Sequence, residues 1–163
     1  VNEDGILDFG VSGNGSEFGD KSLHIIAGDS YLGAFYVNFS GGGDATIDLS
    51  SYTDATEVEV GLPFDVEYKS FPIDLSVQGG PLTNEPRSIN KISVDFTNTL
   101  SATVNGKVLT VKRVNDDITE DPIPVSEKKE FRLLGYSKNP QVTITQSEPL
   151  DLQINGFVAE VTI

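Results

Sequence analysis

Apolar residues in this chain recur at every second position, in short stretches broken by Gly, Asn, Asp and Pro, and almost nowhere at helical spacing. Period two places successive side chains on opposite faces of an extended backbone, so the pattern predicts half-buried strands joined by turns. Leu23-His24-Ile25-Ile26-Ala27 reads as a strand stopped by Gly28-Asp29-Ser30, and residues 31–39 as a second. Ala45 to Leu49 and Val58-Glu59-Val60 alternate in the same way. Phe64 to Tyr68 continues the alternation, and Phe71, Ile73, Leu75 and Val77 resume it on the opposite parity. A one-residue slip turns every side chain to the other face, so a bulge or corner is expected near Lys69-Ser70, with Pro72 marking the irregularity.

Further strands are expected at Ile92 to Phe96, 131–134, 142–145, 150–154 and 157–163. Asn105-Gly106, between β-prone flanks, is the strongest local signal, because a type I′ hairpin needs two consecutive positive-φ residues. Residues 1–22 read as a loose Gly-rich lead-in, Gly41-Gly42-Gly43 and residues 78–87 as loops, and residues 115–124 as an acidic loop. The fold class expected is all-β: an antiparallel sandwich or partly open barrel of about ten or more short strands. The organisation expected is an N-terminal β module over 1–62 and a C-terminal one over 63–163, or one continuous domain.

Twenty-five acidic residues against 11 basic ones leave a formal net charge of −14. Such a surface repels phosphate backbones and anionic membranes, which argues against nucleic-acid binding but suits a surface that DNA passes without sticking. No cysteine is present, which removes disulfides, thiol chemistry and thiolate metal sites. No apolar run approaches the ~20 residues of a membrane-spanning helix. With Val at position 1 and no methionine anywhere, the chain is expected to be a processed product or a piece of a longer one.

Enzymatic constellations are thin. His24 is the single histidine and sits among apolar neighbours in an expected strand, so a structural role is the stronger reading. No Gly-x-Ser-x-Gly elbow surrounds any serine; Gly13-Asn14-Gly15-Ser16 is not that pattern. One histidine and no cysteine leave no zinc set. Asp116, Asp117, Glu120 and Asp121 form an oxygen-rich loop that suggests a weak calcium candidate, although it lacks the alternating Asp spacing and the turn glycine. The plainer reading is a solvated loop. Gly41-Gly42-Gly43 lacks the Gly-Lys-Ser/Thr ending of a phosphate loop. The pairs Lys112-Arg113 and Lys128-Lys129 are not interleaved with aromatics as a nucleic-acid platform would be. A carboxylate pair of the glycosidase kind stays open, since any two strands could bring acids together. No catalytic residue and no cofactor is expected.

Three segments carry a resemblance to a known family. Thr46-Ile47-Asp48-Leu49 is followed by Val58-Glu59-Val60-Gly61-Leu62-Pro63-Phe64. Ser70-Phe71-Pro72-Ile73 is followed by a loop and then Arg87-Ser88-Ile89-Asn90-Lys91-Ile92-Ser93-Val94. Residues 142–154, with Pro149-Leu150-Asp151-Leu152, lead to Ala159-Glu160-Val161. In this order the segments resemble the C-terminal region of the tail nozzle (tail tubular, or portal-stabilising) proteins of short-tailed bacteriophages. Phe64 stands where that family usually has Tyr, and the family's basic middle strand is diluted here to Arg87 and Lys91.

The resemblance implies a structural rather than catalytic protein of the virion tail, assembled in the host cytoplasm. It implies a homo-oligomer, a hexameric ring docked below the tail adaptor, with tail fibres or spikes at its side and genomic DNA passing through without specific binding. Gly61, Leu62, Pro63, Phe64, Pro72, Asn105, Gly106, Pro149 and Leu150 are then structural motif residues, with the prolines shaping corners and Gly61 and Gly106 supplying permissive backbone. Two other readings stand beside it: a free-standing β-sandwich binding or adhesin module, and a tail-associated polysaccharide hydrolase domain.

Overall fold

A computed structural model describes residues 1, 5–8, 22–39, 45–52, 57–74, 76–77, 80–81, 85–112, 116 and 121–163. Among these residues there is no helix, and every strand pairing is antiparallel. Gly13 to Ser16, Gly41 to Gly43, Asp117 and Glu120 lie outside the described residues. By internal contacts the chain divides into two units. One comprises Val1–Phe64 with Thr119–Asp121 and Glu148–Leu150, and the other comprises Asp65–Ile118, Pro122–Ser147 and Asp151–Ile163.

In the first unit β1 (Ile6–Asp8), β5 (Ala45–Asp48) and β4 (Asn38–Phe39) form one sheet in the order β1-β5-β4. A second sheet has the order β3-β2-β6, from β2 (Ser22–Ala27), β3 (Ser30–Tyr36) and β6 (Glu59–Gly61). Residues 6–8 correct the expectation of a loose lead-in: they pair with β5, placing Leu7 opposite Ile47. Leu7 joins a core of Leu23, Ile25, Val37, Ile47 and Leu49, and that burial offsets the cost of ordering the segment. The β2–β3 turn uses Gly28 at φ 58 ahead of Asp29 and joins Ala27 to Ser30, the sign pattern of a type II′ hairpin.

The second unit is a sandwich. One sheet has the order β13-β10-β15, built from β10 (Ser88–Phe96), β13 (Lys128–Arg132) and β15 (Ile154–Thr162). The facing sheet has the order β12-β11-β14-β7, from β7 (Val66–Lys69), β11 (Thr103–Val104), β12 (Lys107–Val108) and β14 (Thr143–Gln146). A small hairpin joins β8 (Ser76–Val77) to β9 (Gly80–Pro81). Ile92, Val94 and Phe96 of the first sheet meet Ala102, Val104, Val142 and Ile144 of the second, with Phe131 edge-on to Phe96 at 6.3 Å. Burial of each such aliphatic or aromatic side chain stabilises the fold by roughly 1.5–3 kcal/mol.

Two strand expectations need correction. Residues 150–154 and 157–163 do not form separate strands. Residues 154–162 run as one, and the irregularity appears as register shifts against β10 at Ile89/Lys91 and Asp95/Phe96. Residues 71–77 do not form one strand either. After Lys69 the backbone–backbone links to the neighbouring segment among the described residues are Ser70 N to Val142 O (2.8 Å) and Ile73 N to Pro140 O (3.0 Å). Pro72, between them, has no N–H to donate, so the ladder breaks there.

Candidate assembly surface

The residues of the expected motif fall in distinct settings. Asn105 and Gly106 close the β11–β12 hairpin at φ 45 and 78, both positive as type I′ requires. Asn105 also ties its side chain to the neighbouring segment, donating to Gln141 O (3.0 Å) and accepting from Thr143 N (2.6 Å). Pro149 sits inside a three-residue turn closed by Leu150 N donating to Glu148 O at 2.8 Å. Gly61 lies in β6 opposite His24, has no positive φ, and a Cβ there would meet nothing. Permissive backbone is therefore not what Gly61 supplies, which corrects that expectation.

His24 is half-buried, and the Tyr31 hydroxyl lies 3.2 Å from its Nδ1, with the rings 5.3 Å apart. Burial, followed by the Glu148 carboxylate, raises the Tyr31 phenol above its ordinary value. Of the calcium candidates, Asp116 is exposed and Asp121 accepts a 2.6 Å hydrogen bond from Ser30 Oγ. Among the described residues no group of three or more His, Cys, Asp or Glu could hold a metal ion.

Beside its charged residues the fold leaves several large apolar side chains in solvent. In the first unit Leu62 and Phe64, which flank Pro63, are 55% and 62% exposed. In the second unit β7 is an outer strand whose residues are all exposed. Its Tyr68 pairs with buried Ile144 and its Val66 with buried Gln146, so both point to the sandwich interior. Tyr68 meets the edge of Phe157 on β15, the outer strand of the facing sheet, with centroids 6.0 Å apart. Phe71 follows, almost wholly exposed beside Pro72. Both outer strands have backbone edges with no partner among the described residues, the condition under which strands pair with another chain.

Arg87, which the sequence reading placed in a basic strand, organises an end of this unit from a buried position. Arg87, at the start of the strand region, is 1% exposed. Its guanidinium reaches Asp74 Oδ1 (3.3 Å), the Ile73 carbonyl and Lys138 O (3.5 Å). Its backbone pairs both ways with Ser137. The fork thus holds the 73–74 segment and the 137–138 loop to the sheet. A buried charge needs such partners, since burial without them costs several kcal/mol. The sequence marked Arg87 as a cation of a basic strand, where a turn-rich stretch becomes an apolar one, and carried no signal of the clamp.

The outer face of the β13-β10-β15 sheet is charged and hollowed. Lys91 reaches Glu130 (3.4 Å) and Glu160 (3.6 Å) across both neighbouring strands. Beside it an open depression of about 680 Å³ is lined by Ser93, Gly156 and Val158, among others. The small residues on β10 and β15 make the hollow, and Val158, 73% exposed, gives it an apolar surface.

Fold and surface together define an all-β antiparallel sandwich protein with solvent-exposed apolar side chains and strand edges that have no partner among the described residues. No protein-family model matches the chain, and no curated protein matches it.

Proposed function

We propose that the chain is a structural component of a virion tail: a β module of the nozzle of a short-tailed phage that contributes to the conduit for DNA delivery and docks to the tail adaptor. The observation that carries this reading is the exposure of Leu62 and Phe64 within the segment bearing the nozzle-like motif. Apolar side chains kept in water in one of the three family-like segments are suited to contact another subunit. The edges of β7 and β15, without a partner among the described residues, add backbone donors and acceptors for the same purpose. The net charge of −14 suits a wall past which DNA slides, because it provides no counterion-release attraction.

Complementation tests the reading. Particles assembled with a chain carrying Leu62→Asp and Phe64→Asp are expected to have filled heads and defective tail tips, although the variant itself folds. Normal, infectious tails from that variant would contradict the proposal.

A further inference from the structure

We infer that successive copies of this chain join head to tail through the two outer strands of one sheet, β15 of one copy running beside β13 of the next. The inference rests on the ring-forming part of the proposed function and names the strands, direction and register of the contact.

The outer edge of β15 is open. The strand is nine residues long and ends its sheet, with no strand beyond it among the described residues. It carries one charged residue, Glu160, and no lysine or proline, the residues by which folded chains guard such edges. β13 ends the same sheet on the other side, again without a further partner among the described residues. Both strands are antiparallel to β10, so they run parallel to each other. A rotation about an axis along the strands therefore sets β13 of one copy beside β15 of another, with strand direction and sheet faces kept. A contact between two different edges is heterologous and closes into a ring when the rotation permits.

β10 fixes the height of each outer residue. Lys91 stands between Arg132 and Glu160, Ser93 between Glu130 and Val158, and Asp95 between Lys128 and Gly156, and the register shifts against β15 fall outside these rows. Continued at the same height, Glu160 meets Arg132 of the next copy and Val158 meets Glu130. Lys128 of the next copy arrives beside Gly156, where the missing side chain leaves open space on the way to Asp95. On the inner face small Ala159 meets large Phe131, since both pair with Ile92. No row opposes like charges across the contact. Parallel ladders are slightly weaker per residue than antiparallel ones, so these side-chain rows decide the choice.

Charge selects a second copy and this register. Within one copy Arg132 lies directly across from Lys91, and like charges so opposed are destabilising. Lys91 is answered by Glu130 at 3.4 Å and Glu160 at 3.6 Å, whereas no carboxylate among the described residues pairs with Arg132. Glu160 of the neighbouring copy supplies that carboxylate. A shift by one row sets Glu160 against Glu130 instead, and the opposite shift carries it past the end of β13 to the exposed Leu134. A two-fold contact of β15 with itself leaves Arg132 unanswered. A two-fold contact of β13 with itself can answer Arg132 with Glu130 but leaves the unguarded edge of β15 in water. Of the pairings that keep the sheet faces, only the head-to-tail one covers both edges and answers Arg132.

The absence of cysteine makes cross-linking a clean test. Full-length chain carrying Glu130→Cys is mixed with chain carrying Val158→Cys at concentrations where the unmodified chain self-associates, and treated with a short bismaleimide. Cross-linked pairs are expected from the mixture and from neither variant alone, because like positions on successive copies lie three strand spacings, roughly 14 Å, apart. Links within the Val158→Cys sample would show β15 paired with itself, and links within the Glu130→Cys sample would show the same of β13. A second arm uses charge at two exposed positions. Glu160→Arg and Arg132→Glu chains, each checked for an unchanged thermal transition, are each expected to lose self-association by at least roughly tenfold. Their equimolar mixture is expected to regain it, since every contact then joins opposite charges. No self-association of the unmodified chain, links within either single variant, no links in the mixture, or charge variants that associate no better together than apart would overturn the inference. If rings still form in particles built from the Glu160→Arg chain, the strand assignment fails and the nozzle reading stands. If the pairing occurs but the chain lies outside the tail, the reverse holds.

Discussion

Arg87 lies buried against Asp74, a carboxylate that is itself largely in solvent, at 3.3 Å. The pair is thus lopsided: the cation has given up its hydration and the anion has not. Most of what holds Arg87 is the carbonyl set of Ile73 and Lys138, with Asp74 as a screened partner.

Removing the cation should therefore cost more than removing the anion. Arg87→Ala is expected to destabilise the second unit by roughly 3 kcal/mol, since a large buried side chain is lost with its hydrogen bonds to the clamped carbonyls and a cavity opens. Asp74→Ala is expected to cost about 1 kcal/mol or less, since that side chain is exposed. Arg87→Lys should rescue only part of the loss, because an ammonium cannot span the forked contacts. Urea unfolding of the three variants checks the order, and equal losses for Arg87→Ala and Asp74→Ala would refute it.

Glycines at three positions should respond differently to alanine. Gly5 has φ +76, and a Cβ there would lie 2.7 Å from the Ser50 Cα, so Gly5→Ala should disrupt β1–β5 pairing. Gly106 has φ +78 but open space, so Gly106→Ala should cost about 1 kcal/mol from backbone strain alone. Gly156 has neither constraint and should tolerate alanine with a change within about 0.5 kcal/mol. Thermal unfolding that ranked Gly156→Ala worst would reject this account.

Asn105 should matter more than its place in a two-residue turn suggests. Asn105→Ala removes both side-chain links to residues 141–143 and puts a residue less tolerant of the left-handed region at φ 45, so a loss of about 2 kcal/mol is expected, exceeding that of Gly106→Ala. Asn105→Gly keeps the backbone freedom and should recover part of it. Amide exchange at Thr143 offers a direct reading: its protection should fall in both variants.

One pH response has a definite sign. Hydrogen bonds from Ser50, side chain first and then backbone, hold the Asp48 carboxyl below the usual carboxylate range. A group with a lowered folded pKa stabilises the fold above its unfolded value, and that contribution fades as pH falls through the folded one. Carboxyl NMR should show Asp48 titrating below the ordinary aspartate value, and Ser50→Gly should leave it lowered but by less. An unmoved Asp48 would contradict the assignment.

The strands were legible wherever alternation was long and turn chemistry unambiguous. Asn105-Gly106 and Gly28-Asp29 announce their hairpins because few residues accept positive φ. Ile92, Val94 and Phe96 announce a core face because every second residue is apolar. What alternation could not disclose was whether a face is covered. Val66 and Tyr68 alternate as well as Ile92 and Val94 do, yet they lie on an outer strand and stay half in water. Nor could it show that Ile6 and Leu7, short and surrounded by glycine and acid, find a partner in β5. Arg87 was illegible for a different reason: its partners come from residues 73–74 and 137–138, and no local pattern predicts a long-range clamp. Leu134 and Val158 were likewise read as ordinary strand residues, since exposure belongs to tertiary structure.

Electron microscopy of particles containing this chain, with symmetry assigned from class averages, tests the central claim most directly. The account predicts density for this chain in a sixfold ring below the tail adaptor. Density elsewhere on the particle, or only isolated monomers of the full natural product, would contradict it and favour a free-standing binding module.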